Sequence, residues 1–381
     1  MINRREFLKG LGLSTLSLLT APSLWANTLT TVAGNRRILI LIELKGGNDG
    51  LNTLIPYTSS AYYNARPNVA ISRSKILTLS AQLGLNPALQ ALMPVWNEGQ
   101  LAWVQGVGCE TENRSHFEAI EVWDTARTDI QGINDGWIAQ SFAKHTLAGI
   151  AIDSNLGPLY GNNVSALTIA NPQNFAQSGS KIANFKSASS NNKSLQHILN
   201  IQSQINMLSS TLAEYLKDIP AAKDVFPVGS FGQSLNSVYM LIASGLNVPA
   251  YKISLENFDT HTNHNLRQQP LLATLAQGIA SMRTNLKHIG MWNEVVIMTY
   301  SEFGRRLKEN ASKGTDHGSA SVQLVTGGKV KGGFYGQYPS LLDLDERGDL
   351  IYTTDFRDIY SIIRNNWWNL GELQTGNLAF V

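Results

Sequence analysis

Nine side chains in this sequence have types and spacings that suit cation binding and ester chemistry. Asp49 closes a glycine-rich stretch, Lys45-Gly46-Gly47-Asn48-Asp49-Gly50, directly after an apolar run. Asp259, His261 and His264 crowd into Phe258-Asp259-Thr260-His261-Thr262-Asn263-His264. Glu302 follows Ser301 after another apolar run, and Asp316 with His317 stands in Lys313-Gly314-Thr315-Asp316-His317-Gly318. Carboxylates mixed with imidazoles suit zinc, manganese or another divalent first-row ion. They suit calcium less, because calcium prefers an all-oxygen shell. Ser115 and Arg114 complete the set in Asn113-Arg114-Ser115-His116-Phe117-Glu118. A serine at a helix N-terminus sits where free N–H groups hold an ester anion, and a metal that lowers its pKa makes it a nucleophile. Arg114 beside it is placed to neutralise the anion.

Each of these residues also has an ordinary reading. Asn48-Asp49-Gly50 is a common turn. Asp259 with His261 can be a structural hydrogen-bonded pair. Glu302 can pair with Arg305 or Arg306, and Asp316 can shape the turn while His317 alone coordinates. Ser115 and Glu118 form a capping box, which needs no catalytic role. His116 is a fourth histidine beside these polar stretches, whereas His145, His197 and His288 lack such company and read as surface or core residues. The single cysteine, Cys109, excludes an internal disulfide and reads as a small buried hydrophobe.

These residues need a scaffold, and the apolar periodicity predicts one. Near-continuous apolar runs predict buried strands at 36–44, 101–107, 251–255, 294–300 and 321–325. Helical patterns fall at 87–98, 117–126, 195–216, 234–244, 266–288 and 356–368, with Asn86 as a cap before Pro87. Strands alternating with helices imply right-handed crossovers and an α/β fold, a largely parallel sheet flanked by helices. Ligands of such sheets bind beyond the carboxyl ends of the strands. Asp49, Asp259 and Glu302 each follow a predicted strand, so three carboxylates are expected at one edge.

The bulk composition bounds the function. A body that is 43% hydrophobic and 15% charged can bury a large core. The net charge of +2 matches the balance of Arg4, Arg5 and Lys9 against Glu6 at the front, so the remainder is close to neutral. That balance argues against nucleic-acid binding. Residues 1–26 read as a twin-arginine signal peptide: Arg4-Arg5-Glu6-Phe7-Leu8-Lys9, a short apolar stretch, then a small residue at Ala26. The route exports folded proteins, many of which acquire a metal first. Residues 27–381 are then expected as one α/β domain in the periplasm, with a polar surface insertion near 171–194 and no membrane contact once the signal is removed.

The segments Glu43 through Thr53, Arg114-Ser115-His116-Phe117, Asp259-Thr260-His261, Ser301-Glu302-Phe303-Gly304-Arg305-Arg306 and Gly314-Thr315-Asp316-His317-Gly318 together resemble the secreted bacterial family called domain of unknown function 1501. That family is similar to the alkaline phosphatase and sulfatase superfamily. The resemblance implies an alkaline phosphatase-like fold. It also implies a metal ligand at Asp49, a nucleophile at Ser115, and further ligands at Asp259, His261 or His264, and His317. Glu302 stands where the superfamily has an aspartate, and Phe303 stands where it has a metal-binding histidine. The expected function is a metal-dependent hydrolase or transferase of small phosphate or sulfate esters. The alternative is a noncatalytic periplasmic binding or assembly protein with an altered metal site.

Overall fold

The computed structural model describes residues 36–110, 114–129, 135–142, 147–162, 164–182, 192–376 and 378–381. The expected signal peptide and residues 183–191 of the expected insertion lie outside the described residues; Pro172–Ile182 within the insertion is helical.

Nine strands form the main sheet: β1 Ile38–Leu44, β2 Leu101–Gly108, β3 Leu147–Ile152, β4 Ser165–Ile169, β5 Ala250–Leu255, β6 Val295–Tyr300, β7 Ser321–Gly327, β8 Gly333–Tyr335 and β9 Thr354–Asp355. Their order is β8-β2-β7-β6-β1-β5-β3-β4, with β9 also paired to β2. All described pairings are parallel except those of β7, which runs antiparallel to β2 and β6. The fold class read from the sequence therefore holds.

The sequence of β1, Ile-Leu-Ile-Leu-Ile-Glu-Leu, is buried throughout because helices cover both faces of the sheet. Ile38, Ile40, Ile42 and Leu44 join the core under α2 (Ser230–Ala243) and α3 (His264–His288). Leu39 and Leu41 join the core under α1 (His116–Thr125) and α4 (Phe356–Ile362). Each fully buried Leu or Ile contributes about 1.5–3 kcal/mol, so sliding β1 by one residue would misplace every side chain on both faces.

The central register places the site. Leu44 of β1 lies opposite Leu255 of β5, and Glu43 lies opposite Tyr300 of β6. Three loops consequently leave the sheet side by side, beginning at Lys45, Glu256 and Ser301. The hairpin of Arg305–Glu309 with Thr315–His317 closes over the same edge before the chain enters β7. Two predicted helices differ from expectation in form. The 87–98 segment starts as a 3-10 turn, Pro87–Leu92, capped by the Asn86 side chain on Ala88 N–H, before one turn of α-helix. The final helix ends as a π-helix, Ile363–Trp367.

Candidate functional site

The glycine loop after β1 is shaped by contact with the site itself. Gly46 has φ +117, and a Cβ there would lie 2.4 Å from the backbone nitrogen of Asp259. Gly47 has φ +81, and a Cβ there would meet the Phe303 ring at 2.5 Å. Only glycine permits both the left-handed backbone and the close approach.

Arg305 joins the loops together. Its buried guanidinium donates to the carbonyl oxygens of Gly46, Gly47 (2.8 Å), Phe258 (3.2 Å) and Thr315 (2.8 Å), and to Asp259 Oδ1 at 2.6 Å. All three nitrogens of the planar fork donate, as guanidinium geometry allows.

Asp259 is the centre of a histidine cluster. His261 Nε2 lies 3.0 Å and His317 Nε2 3.2 Å from Asp259 Oδ1, while His116 Nε2 lies 3.7 Å from Oδ2. The other ring nitrogen of each histidine faces an acceptor. His116 Nδ1 is 2.7 Å from Glu302 Oε1, His261 Nδ1 is 3.0 Å from Asp316 Oδ1, and His317 Nδ1 is 2.9 Å from the Arg114 carbonyl oxygen. A carbonyl can only accept, and an ionised carboxylate can only accept. We therefore assign the proton to Nδ1 in all three rings, which turns each Nε2 lone pair toward Asp259. His261 Nε2 and His317 Nε2 are themselves 3.0 Å apart. Two bare imidazole nitrogens and a carboxylate oxygen at such distances repel unless a cation or a proton lies among them.

The donor set fits a metal. Imidazole Nε2 ligands whose Nδ1–H groups are held by carboxylates or carbonyls are the usual arrangement around zinc. Among the described residues, His116, Asp259 and His317 offer ligand atoms all within 4.8 Å of one another. Burial works to raise the Asp259 carboxyl, but the Arg305 guanidinium beside it outweighs this and holds it below its ordinary value. Burial pushes the His317 imidazole down, favouring its neutral form. The hydrogen bond to Glu302 lifts His116 above its ordinary value. The Phe303 ring packs beneath, its centroid 4.9 Å from His116 and 4.4 Å from His317.

The expected site residues divide into those that meet and those that do not. Asp259, His261, Glu302, Asp316 and His317 converge, and His116 joins them. Glu302 and Asp316, expected as ligands, stand one step out: Glu302 Oε1 also accepts Gly46 N–H at 2.8 Å, and Asp316 Oδ1 also accepts the Asn310 amide at 3.0 Å. Asp49 and His264 do not join the cluster. Asp49 is fully buried against Arg66, at 2.6 Å and 3.1 Å, with His264 Nε2 at 2.9 Å, and it caps the following 3-10 turn by accepting Leu51 N–H. His264 Nδ1 is 2.7 Å from the Thr260 hydroxyl. Asp49 is thus the anchor of a buried ion pair, and His264 belongs to that pair.

Arg114 points its guanidinium at Asp349 and reaches Asp345 at 3.8 Å, so it is not turned toward an incoming anion. Ser115 is exposed at the N-cap of α1, and its side chain makes no cap hydrogen bond, so the expected capping box does not close there. The alternative pairing of Glu302 with an arginine does not form; Arg305 pairs with Asp259 and Arg306 with Asp349. Cys109 is buried and its thiol is pushed up to about 11 by burial, which makes it unreactive.

A second buried polar group lies between α1 and the sheet. Lys252 Nζ donates to Glu43 Oε2 at 2.7 Å, Ser154 Oγ at 2.8 Å and Asn155 Oδ1 at 2.6 Å. Asp124 on α1 accepts the Tyr300 hydroxyl at 3.1 Å, and burial pushes its carboxyl up to about 7. Glu43 and Lys252 each carried a signal, a lone charge of opposite sign in an otherwise apolar strand. Arg66 and Asp349 carried none, because each acts through partners far away in the chain.

Solved structures with distant likeness to this chain come from several enzymes. The chain is similar to a sulfatase from Pseudoalteromonas sp., at 9% identity over 100% of this chain and 74% of that one, with a TM-score of 0.38. It is also similar to the lipoteichoic acid synthase LtaP from Listeria monocytogenes, at 9% identity, 95% and 80% coverage and a TM-score of 0.35. A third is the alkaline phosphatase of the Antarctic bacterium TAB5, at 9% identity, 79% and 94% coverage and a TM-score of 0.33. Scores this low carry no functional weight. Residues 165–350 match the family described as protein of unknown function (DUF1501), the family that the motifs resemble. No curated protein matches the chain.

Proposed function

We propose that this protein is a divalent-metal-dependent hydrolase or transferase of small phosphate or sulfate esters, working in the periplasm after twin-arginine export. The observation that carries the reading is the convergence of Nε2 atoms on Asp259, each ring held by an acceptor at Nδ1. Asp259, His116 and His317 would hold the ion, zinc or manganese, and His261 borders it. When bound, the ion supplies a Lewis acid that polarises the ester and favours an ionised hydroxyl. Among the described residues no helix is long and apolar enough to cross a membrane.

The chain's own residues do the rest. Ser115, adjacent to His116 at the mouth of α1, is the nucleophile: its Oγ bonds to phosphorus or sulfur as the bond to the ester oxygen breaks, its proton passes to water, and the departing oxygen takes a proton from water. Water then cleaves the serine ester in a hydrolase, or an acceptor alcohol does so in a transferase. Lys45, more than half exposed and next to Gly46, is the other cation for an incoming anion, and it would exchange its ion pair with Glu256 at 3.0 Å for that anion.

Ser115→Ala should lower turnover of p-nitrophenyl phosphate or sulfate by at least about a thousandfold and leave the melting temperature unchanged. Undiminished turnover in that variant would refute the nucleophile. A wild-type protein that binds its ion yet turns over neither ester would favour the noncatalytic alternative. That alternative is supported by the removal of Asp49 from the site and by the phenylalanine at 303.

A further inference from the structure

Residues 344–350 form a tight turn outside every motif described above, closed by the bridge between Leu344 and Leu350 and by Asp345 Oδ1 accepting Asp349 N–H at 2.7 Å. The turn drives Asp349 inward, and its side chain is 0% exposed. One carboxylate oxygen pairs with Arg114, and the other accepts Arg306 Nε at 2.9 Å. A buried carboxylate between two guanidinium groups ties them together, by an ion pair to Arg114 and a charge-assisted hydrogen bond to Arg306.

Both arginines lead into the cation site through their backbones. The Arg114 carbonyl is the acceptor that holds His317 Nδ1, and Arg114 Nη1 donates to the His317 carbonyl at 3.3 Å. Arg114 also precedes Ser115 and His116, the start of α1. Arg306 follows Arg305, the residue bonded to Asp259, and its carbonyl accepts from Arg66 at 2.7 Å. One buried carboxylate thereby braces the segment that presents His116 and aims His317 against the segment that fixes Asp259.

We propose that Asp349 is a positioning residue of the cation site: through Arg114 and Arg306 it sets the spacing of His116, His317 and Asp259. The proposal rests on the metal reading above. It explains why Arg114 is turned away from the site, and it gives the 344–350 turn a role in metal affinity.

Titration of the full mature chain with Co²⁺ alone, followed by its d–d absorption, tests this. Asp349→Asn should weaken Co²⁺ binding about tenfold, the low end of the effect of losing a direct outer partner of a metal ligand, because Asp349 acts through Arg114 and Arg306, and should change the band shape. Arg114→Met should shift both in the same direction, and the double variant should lose little more than either single one, because the two act as one unit. Asp349→Glu should recover part of the affinity. Should Asp349→Asn fail to fold, Arg114→Met carries the test, since that side chain is 23% exposed. Wild-type affinity and spectrum in both single variants would overturn the proposal, as would fully additive losses. A wild-type chain that takes up no Co²⁺ would overturn the metal reading itself and this proposal with it.

Discussion

Asp259→Asn should lower zinc affinity by more than about a hundredfold, beyond the usual effect of losing an outer partner, while the chain remains folded. Asp259 supplies the negative charge among the three side chains that can share an ion. Its two oxygens face different histidines, Oδ1 toward His261 and His317 and Oδ2 toward His116. An amide keeps one acceptor and turns an N–H₂ either at a histidine nitrogen or at the Arg305 guanidinium, which already donates. Folding should survive because Arg305 keeps its four carbonyl acceptors. The Asp259 side chain is also 42% exposed, so solvent screens the lost charge. Competition with a chromophoric chelator measures the loss. A variant that binds zinc like the parent would remove Asp259 from the site.

Asp49→Asn should do the reverse: lower stability by about 3–5 kcal/mol and leave the zinc affinity of the folded chain within about threefold. The Asp49 and Arg66 side chains are both 0% exposed. Removing one partner leaves the other as an uncompensated buried charge, which is the costly case. The pH dependence follows in sign. Burial works to raise the Asp49 carboxyl, but Arg66 and His264 hold it far below the ordinary value of 3.8. Its contribution is therefore complete above 3.8 and is lost as pH falls below that value toward the folded pKa. Urea denaturation at neutral pH and in acid should show the parent losing this contribution and the variant lacking it throughout. A drop in zinc affinity with stability intact would make Asp49 a ligand after all.

The contrast between these two aspartates shows what the sequence could reveal. Both follow an apolar strand before a polar loop, and both belong by that rule at the ligand edge of a parallel sheet. Gly46 and Gly47, with φ of +117 and +81, turn the loop back across Asp259 and Phe303. Asp49 then caps a 3-10 turn and faces Arg66, seventeen residues further on. A turn of that kind depends on the loop it packs against, so spacing alone cannot give the direction of Asp49. His116 was visible as a polar neighbour of Ser115, but its place became evident only when the start of α1 was set against β6, where Glu302 holds its Nδ1.

The fold was legible where burial wrote itself into composition. β1, β2, β5, β6 and β7 are apolar runs buried on both faces and fall where they were expected. β3, Leu-Ala-Gly-Ile-Ala-Ile, and β4, Ser-Ala-Leu-Thr-Ile, lie outside the strands that the sequence predicts. Small residues weaken both the strand propensity and the periodic signal, and β3 is held by its parallel neighbours β4 and β5. The short β8 and β9 are strands only because the free side of β2, opposite β7, accepts them.

X-ray diffraction from crystals of the mature protein, recorded on either side of the absorption edge of its bound metal, would locate the ion directly. The account predicts one anomalous peak about 2.0–2.2 Å from an Asp259 oxygen and from Nε2 of His116 and His317. No peak at that position, or a peak between Asp49 and His264, would contradict it.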